Sequence, residues 1–148
     1  MNNKGFLLGE FTLKMVIAIL SILLLVYLLF GIYGTFSEKN KLAKAESTLV
    51  EVVERVELAG SNSQDYDFIM TGPNGWSLVA FLNNGPEACL GNQCLCICDG
   101  GNRDKCDRLG SCEKVSSEFE NFEAIKIDGP TGLFIKKTEG KIAISKNG

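Results

Sequence analysis

The chain contains no histidine. That absence removes Ser-His-Asp and Cys-His catalysis and every histidine-containing metal site. It also lacks a Cys-x-x-Cys pair, so thioredoxin-like redox chemistry has no motif to stand on. No P-loop, dinucleotide fingerprint or carboxylate pair beside a nucleophile is visible. Asn62-Ser63-Gln64 fails as a glycosylation acceptor, and no Asn-x-Ser/Thr occurs elsewhere. An excess of positive charge is missing too. Fifteen Lys and Arg face 18 Asp and Glu, a net charge of −3, which is not the basic footprint of a nucleic-acid binder. No catalytic residue and no cofactor is therefore expected, and nucleic acid is not an expected partner. At about 150 residues per domain, 148 residues allow one small domain plus attachments.

What the chain does have is an uneven distribution of apolar residues. Between residues 15 and 30 only Ser21 interrupts the apolar run, and extending it to residue 36 adds two glycines and one threonine but no charge. As a helix those 22 residues reach roughly 33 Å, enough for a bilayer core of about 30 Å. A helix is the single-segment solution, because lipid cannot satisfy the backbone. Tyr33 is placed to anchor at an interface. A buried core helix is the alternative, but the rest of the chain is too small to bury so apolar a rod. A cleaved secretory signal would have a shorter apolar core and small residues at a cut site. Here Ser37-Glu38-Lys39-Asn40-Lys41 reads as a membrane exit, and the span is expected to be retained.

The segment before the span carries a resemblance. Lys4-Gly5-Phe6, with Glu10 as the fifth residue counted from Phe6, resembles the processing site of type IV prepilins and pseudopilins. The resemblance implies cleavage between Gly5 and Phe6 by a prepilin-type membrane peptidase and methylation of Phe6. It also implies that Glu10 pairs with a neighbouring subunit during filament assembly. A carboxylate entering a membrane is costly and needs such a reason. A local reason exists as well: Lys14 stands four residues after Glu10, the favourable order for a pair on one helix face. The whole chain further resembles a group of small uncharacterised single-pass archaeal membrane proteins. In these a Gly-Glu-x-x-Leu-Lys span, here residues 9–14, precedes a Cys-Leu-Cys-Ile-Cys segment, here residues 94–98.

After the span, Leu42, Ala45, Leu49, Val52, Val53 and Val56 recur at helical spacing, with Glu46, Glu51, Glu54 and Arg55 on the other faces. That pattern predicts an amphipathic stalk helix packing on its own domain. Ser37 is its N-cap if the helix breaks near Gly34, and Gly60 with Ser61-Asn62-Ser63 ends it. Residues 65–148 read as β. Two Gly-Pro-x-Gly turns are flanked by strand patterns: 66–70 with 76–81, and 123–127 with 133–136. Each is expected to close a hairpin with proline at the turn's second position. A third hairpin joins 133–137 to 141–145. The expected product is one small antiparallel sheet with the stalk helix on one face.

All six cysteines lie within 24 residues: Cys89, Cys94, Cys96, Cys98, Cys106 and Cys112. An even count in a domain too small for a large core reads as three disulfides. On a strand, Cys94, Cys96 and Cys98 share one face and Leu95 and Ile97 the other. Each of the three can then meet one of Cys89, Cys106 and Cys112, with fifteen pairings open in principle. The competing reading is a thiolate metal site. Structural zinc takes paired knuckles, and consecutive single-residue spacings suit a strand instead, so no metal is expected. Asp99, Asn102, Asp104 and Asp107 do not fit the calcium-loop pattern and read as solvated loop residues.

The fold class is therefore α+β: a long N-terminal helix, membrane span continuing as stalk, plus a small antiparallel β domain with a disulfide-rich loop. Residues 1–5 are the leader that the prepilin resemblance implies, and 6–36 are expected as the transmembrane helix, 37–60 as the stalk and 61–148 as the Cys-rich domain. Orientation is contested within the sequence. Lys39, Lys41 and Lys44 after the span favour a cytoplasmic carboxyl side by the positive-inside rule. Three disulfides require the opposite, because they persist outside the reducing cytosol. The cysteines take precedence, which predicts a single-pass cell-membrane protein with an extracellular C-terminal domain. Its expected partners are the membrane, like subunits in a filament, and the peptidase.

Overall fold

The structure is a computed structural model that describes residues 4–62 and 64–147, with side chains from Thr12 onward. The chain divides into two compact units, Met1–Lys39 and Asn40–Gly148. One helix, α1 (Lys4–Asn62), supplies most of the first unit and the opening of the second. Gly31 and Gly34 are helical like their neighbours, so no break leaves Ser37 to act as an N-cap.

In the first unit the apolar side chains from Leu13 to Phe36 are exposed along the whole helix surface. Among the described residues none of these apolar side chains is buried, which sets aside the core-helix alternative. The two aliphatic hydroxyls in this stretch are satisfied by their own helix. Ser21 Oγ donates to Ile17 O at 2.8 Å, and Thr35 Oγ1 donates to Ile32 O at 3.0 Å. Such back-bonding leaves neither of these two hydroxyls needing water. The helix is long and apolar enough to cross a membrane.

In the second unit α1 packs its apolar stripe inward. Ala45, Leu49, Val52, Val56 and Ala59 are fully buried at alternating spacings of four and three, with Leu42 and Val53 partly buried beside them. Seven strands follow: β1 (Tyr66–Met70), β2 (Ser77–Phe81), β3 (Cys94–Cys98), β4 (Gly110–Lys114), β5 (Ile125–Lys126), β6 (Thr131–Thr138) and β7 (Lys141–Lys146). A short helix, α2 (Arg103–Arg108), lies between β3 and β4.

The strands form two antiparallel sheets rather than one. The first has the order β1-β6-β7 and the second β4-β3-β2-β5. Size explains the division. Seven strands at about 4.8 Å each make a sheet roughly 34 Å wide. A helix about 10–12 Å across covers only two or three of them. Split in two, both sheets turn their apolar faces to the same core: Met70, Leu133, Ile135, Ile142 and Ile144 from one, Leu78, Leu95, Ile97 and Ile125 from the other.

The expected 133–145 hairpin is present as β6–β7. The other two hairpins are not. β1 pairs with β6, and β5 pairs with β2, so both Gly-Pro segments carry the chain from one sheet to the other. They do so side by side. Gly75 N donates to Ile127 O at 2.8 Å and Ile127 N to Trp76 O at 2.7 Å. Pro73 stands at the first position of its turn, not the second: its carbonyl accepts from Trp76 N at 3.2 Å, and Gly75, at φ +81°, supplies the left-handed position. A Cβ on Gly72 would stand 2.8 Å from the Ile127 Cδ1 methyl, so any larger residue there would force that buried side chain to shift.

The helix end is tied to strand β6 and, through Glu57, to the segment after β4. α1 runs two residues past Gly60, where any Cβ would overlap Ser117 Oγ. Lys137 Nζ donates to Gly60 O at 2.5 Å, placing a cation at the helix C-terminus. Leu49→Ala should cost about 2–5 kcal/mol by leaving a cavity between helix and sheets. The neighbouring change Val50→Ala, on a side chain 52% exposed, should stay within about 0.5 kcal/mol. Denaturant midpoints of the full chain in detergent measure both.

Candidate functional site

The six cysteines form a second, separate core on the outer face of the four-stranded sheet. Cys94, Cys96 and Cys98 project there from β3 and pack with Cys89, Cys106, Val79 and, partly buried, Phe81 and Cys112. Leu95 and Ile97 point the other way into the main core, as the alternation requires. All five residues of β3 are buried.

Three disulfides close this layer: Cys89–Cys94, Cys96–Cys112 and Cys98–Cys106. Each member of the strand triplet meets one of the three outlying cysteines, as expected. Cys96 and Cys112 are register partners across β3 and β4. Cys89 is delivered by the 3₁₀ turn Glu87–Cys89, and Cys106 by α2. Neither element is long enough to stand alone, since isolated helices under about 12 residues are marginal in water. The bridges hold them on the sheet.

The polar residues around this layer have local structural work. Asn102 caps α2, its side chain accepting from Lys105 N at 3.1 Å. Asp107 Oδ1 accepts from Glu87 N at 2.9 Å, joining the two short elements that carry Cys106 and Cys89. Asp107 Oδ2 also stands 3.9 Å from Arg103 Nε. Asp99 and Asp104 are exposed.

Sequence reasoning missed Glu57. It lies between the apolar positions of α1 and holds the segment after β4: Ser116 N donates to Glu57 Oε1 at 2.5 Å and Ser117 Oγ donates to Oε2 at 2.9 Å. Those partners are 59 and 60 residues away, so no local pattern could have found them. Beside this segment is an open hollow of about 420 Å³ lined by Asn92, Gln93, Lys114, Val115, Ser116 and Glu118. Gln93 Oε1 is buried against it without a hydrogen-bond partner among the described residues.

Of Gly5, Phe6 and Glu10 the structure describes only a helical backbone, and residues 1–3 lie outside the described residues. Lys14 is on the exposed helix surface. No protein-family model, curated protein or solved structure matches the chain.

Chain-entropy reasoning ranks the bridges. Cys96–Cys112 spans 16 residues, Cys98–Cys106 eight and Cys89–Cys94 five. The corresponding contributions are about 3, 2.5 and 2 kcal/mol. Paired Cys→Ser changes should destabilise in that order, read as unfolding midpoints of the full chain. Glu57→Ala should cost about 0.5–1.5 kcal/mol, because it removes the acceptor of the Ser116 N–H at an exposed site where water can take its place.

Proposed function

We propose that this chain is a pilin-like single-pass surface protein, a structural subunit or displayed ectodomain, with residues 37–148 outside the cell membrane. The observation that supports this most is the joining of an exposed apolar helix to a domain cross-linked by three disulfides. The first calls for lipid and the second for an oxidising compartment. An apolar helix that continues as an amphipathic one beneath small antiparallel sheets is also how pilin subunits are built, an agreement of architecture. In this reading Phe6 is the mature N-terminus and Glu10 the assembly carboxylate.

A second reading is an unprocessed, membrane-anchored binding module that recognises an extracellular partner through its Cys-rich domain. Lys14 favours it, standing one turn from Glu10 where it can neutralise that carboxylate within the same chain.

Intact mass of the membrane-extracted protein separates the two. The pilin-like reading expects a chain starting at Phe6 and lighter by six hydrogens than its thiol form, one pair for each bridge. Gly5→Val should leave the leader attached. Glu10→Ala should abolish filaments while leaving membrane insertion intact, since it removes a costly charge. A wild-type protein that keeps residues 1–5 supports the anchored module instead. For topology, an impermeant thiol reagent should label no cysteine on intact cells until a reductant is added, and protease should remove the distal domain. Six thiols labelled without reductant in lysed cells, with protease resistance in intact ones, would overturn the outer placement.

A further inference from the structure

Sulfurs belonging to two different disulfides share one buried spot. The Sγ atoms of Cys89, Cys94 and Cys96 all lie within 4.8 Å of one another. Those of Cys94 and Cys96, not bonded to each other, are 4.0 Å apart. Strand register is the cause: residues two apart on β3 lean over the same face. Cys112, bonded to Cys96 from the opposing position on β4, adjoins this group of three but lies outside its mutual 4.8 Å limit. The third bridge, Cys98–Cys106, is made separately at the end of β3.

Three of the four sulfurs already stand close enough for a thiolate cage, and Cys112 is one bond away from the third. Around a tetrahedral ion with metal–sulfur bonds of about 2.3 Å, ligand sulfurs stand about 3.8 Å apart. The unbonded Cys94–Cys96 distance of 4.0 Å is close to that. β3 is hydrogen-bonded on both sides, to β2 and β4, so the backbones carrying Cys94, Cys96 and Cys112 do not depend on the bridges for their positions. Cys89 sits on a short turn that can adjust. The lining is apolar, with Val79 and Phe81, and the donors are sulfur, which selects thiophilic ions over calcium or magnesium. Four thiolates around a divalent ion carry a net double negative charge, costly to bury. Cys112, half-buried on the edge strand β4, gives that charge access to water. Knuckle spacing is absent from the sequence because these ligands are gathered across strands rather than within one loop.

We propose that, when Cys89–Cys94 and Cys96–Cys112 are reduced, the domain binds one thiophilic divalent cation on the sulfurs of Cys89, Cys94, Cys96 and Cys112. Ion and bridges are alternative occupants of the same atoms. With a trialkylphosphine as reductant, each disulfide becomes two thiols while the phosphine takes up the oxygen of one water as its oxide. The cation then displaces one proton from each thiol it binds. Bound sulfur cannot form a disulfide until the ion leaves, so the ion delays oxidation of these two bridges and leaves Cys98–Cys106 untouched.

The test uses the full chain in detergent, reduced anaerobically with a phosphine, freed of reductant and titrated with Cd²⁺. A thiolate-to-cadmium charge-transfer band should rise and saturate at one ion per chain. The double variant Cys98→Ser, Cys106→Ser should keep that band and its stoichiometry, and Cys94→Ser, Cys96→Ser should lose saturable binding. Maleimide labelling of the cadmium-loaded wild type, mapped by peptide mass, should modify Cys98 and Cys106 and spare the other four. Absence of the band, a requirement for Cys98 and Cys106, or protection spread equally over all six would overturn the proposal. Equal protection is what an unfolded cysteine-rich chain would give.

Discussion

Strand β3 has water on neither face, and the distal domain is arranged around meeting that condition. It is paired on both edges, and all five of its residues are buried. Leu95 and Ile97 are covered by the main core, which the helix and both sheets share. Cys94, Cys96 and Cys98 need a second cover, yet the chain offers only a three-residue turn and a six-residue helix for the purpose. Such short elements do not bury enough apolar area to offset the entropy of fixing them. The disulfides supply what burial cannot. They restrict the unfolded chain and attach each short element to the strand it covers.

The opposite side of the sheet obeys ordinary packing. One helix stripe serves two sheets, because a single wide sheet would leave most of its apolar face uncovered. The two Gly-Pro segments make this possible by running side by side from one sheet to the other, bonded to each other through Gly75, Trp76 and Ile127. Lys137 from β6 at the helix end and Glu57 one turn earlier then tie α1 to segments far away in sequence. The first unit has no such layers. Its helix presents apolar side chains outward all round and returns the Ser21 and Thr35 hydroxyls to its own backbone, a surface suited to lipid.

The two halves thus make different demands on their surroundings, lipid for one and an oxidising medium for the other. These demands, rather than any nucleophile or cofactor motif, carry the reading of a displayed surface domain. The same strand spacing that sets the three bridges also brings Cys94 and Cys96 sulfurs together across two of them, which no single bridge requires.

Local periodicity was enough for much of this. The apolar run, the Leu42-to-Val56 stripe, the one-face cysteine triplet and the β6–β7 hairpin all depend on spacing within a few residues, and spacing is what a sequence displays. The 76–81 and 123–127 strand patterns were legible too, but not their partners. Pairing is set by which arrangement buries the most apolar face, a property of the assembled layers. For that reason the Gly-Pro segments looked like hairpin turns and are crossovers, Pro73 takes the first turn position, and one sheet became two. The choice among fifteen cysteine pairings also waited for tertiary structure. Only the β3–β4 register sets Cys96 opposite Cys112, and only the placement of α2 brings Cys106 to Cys98. Glu57 is the plainest case: its partners lie 59 and 60 residues away, and nothing but the folded chain brings them within hydrogen-bond reach.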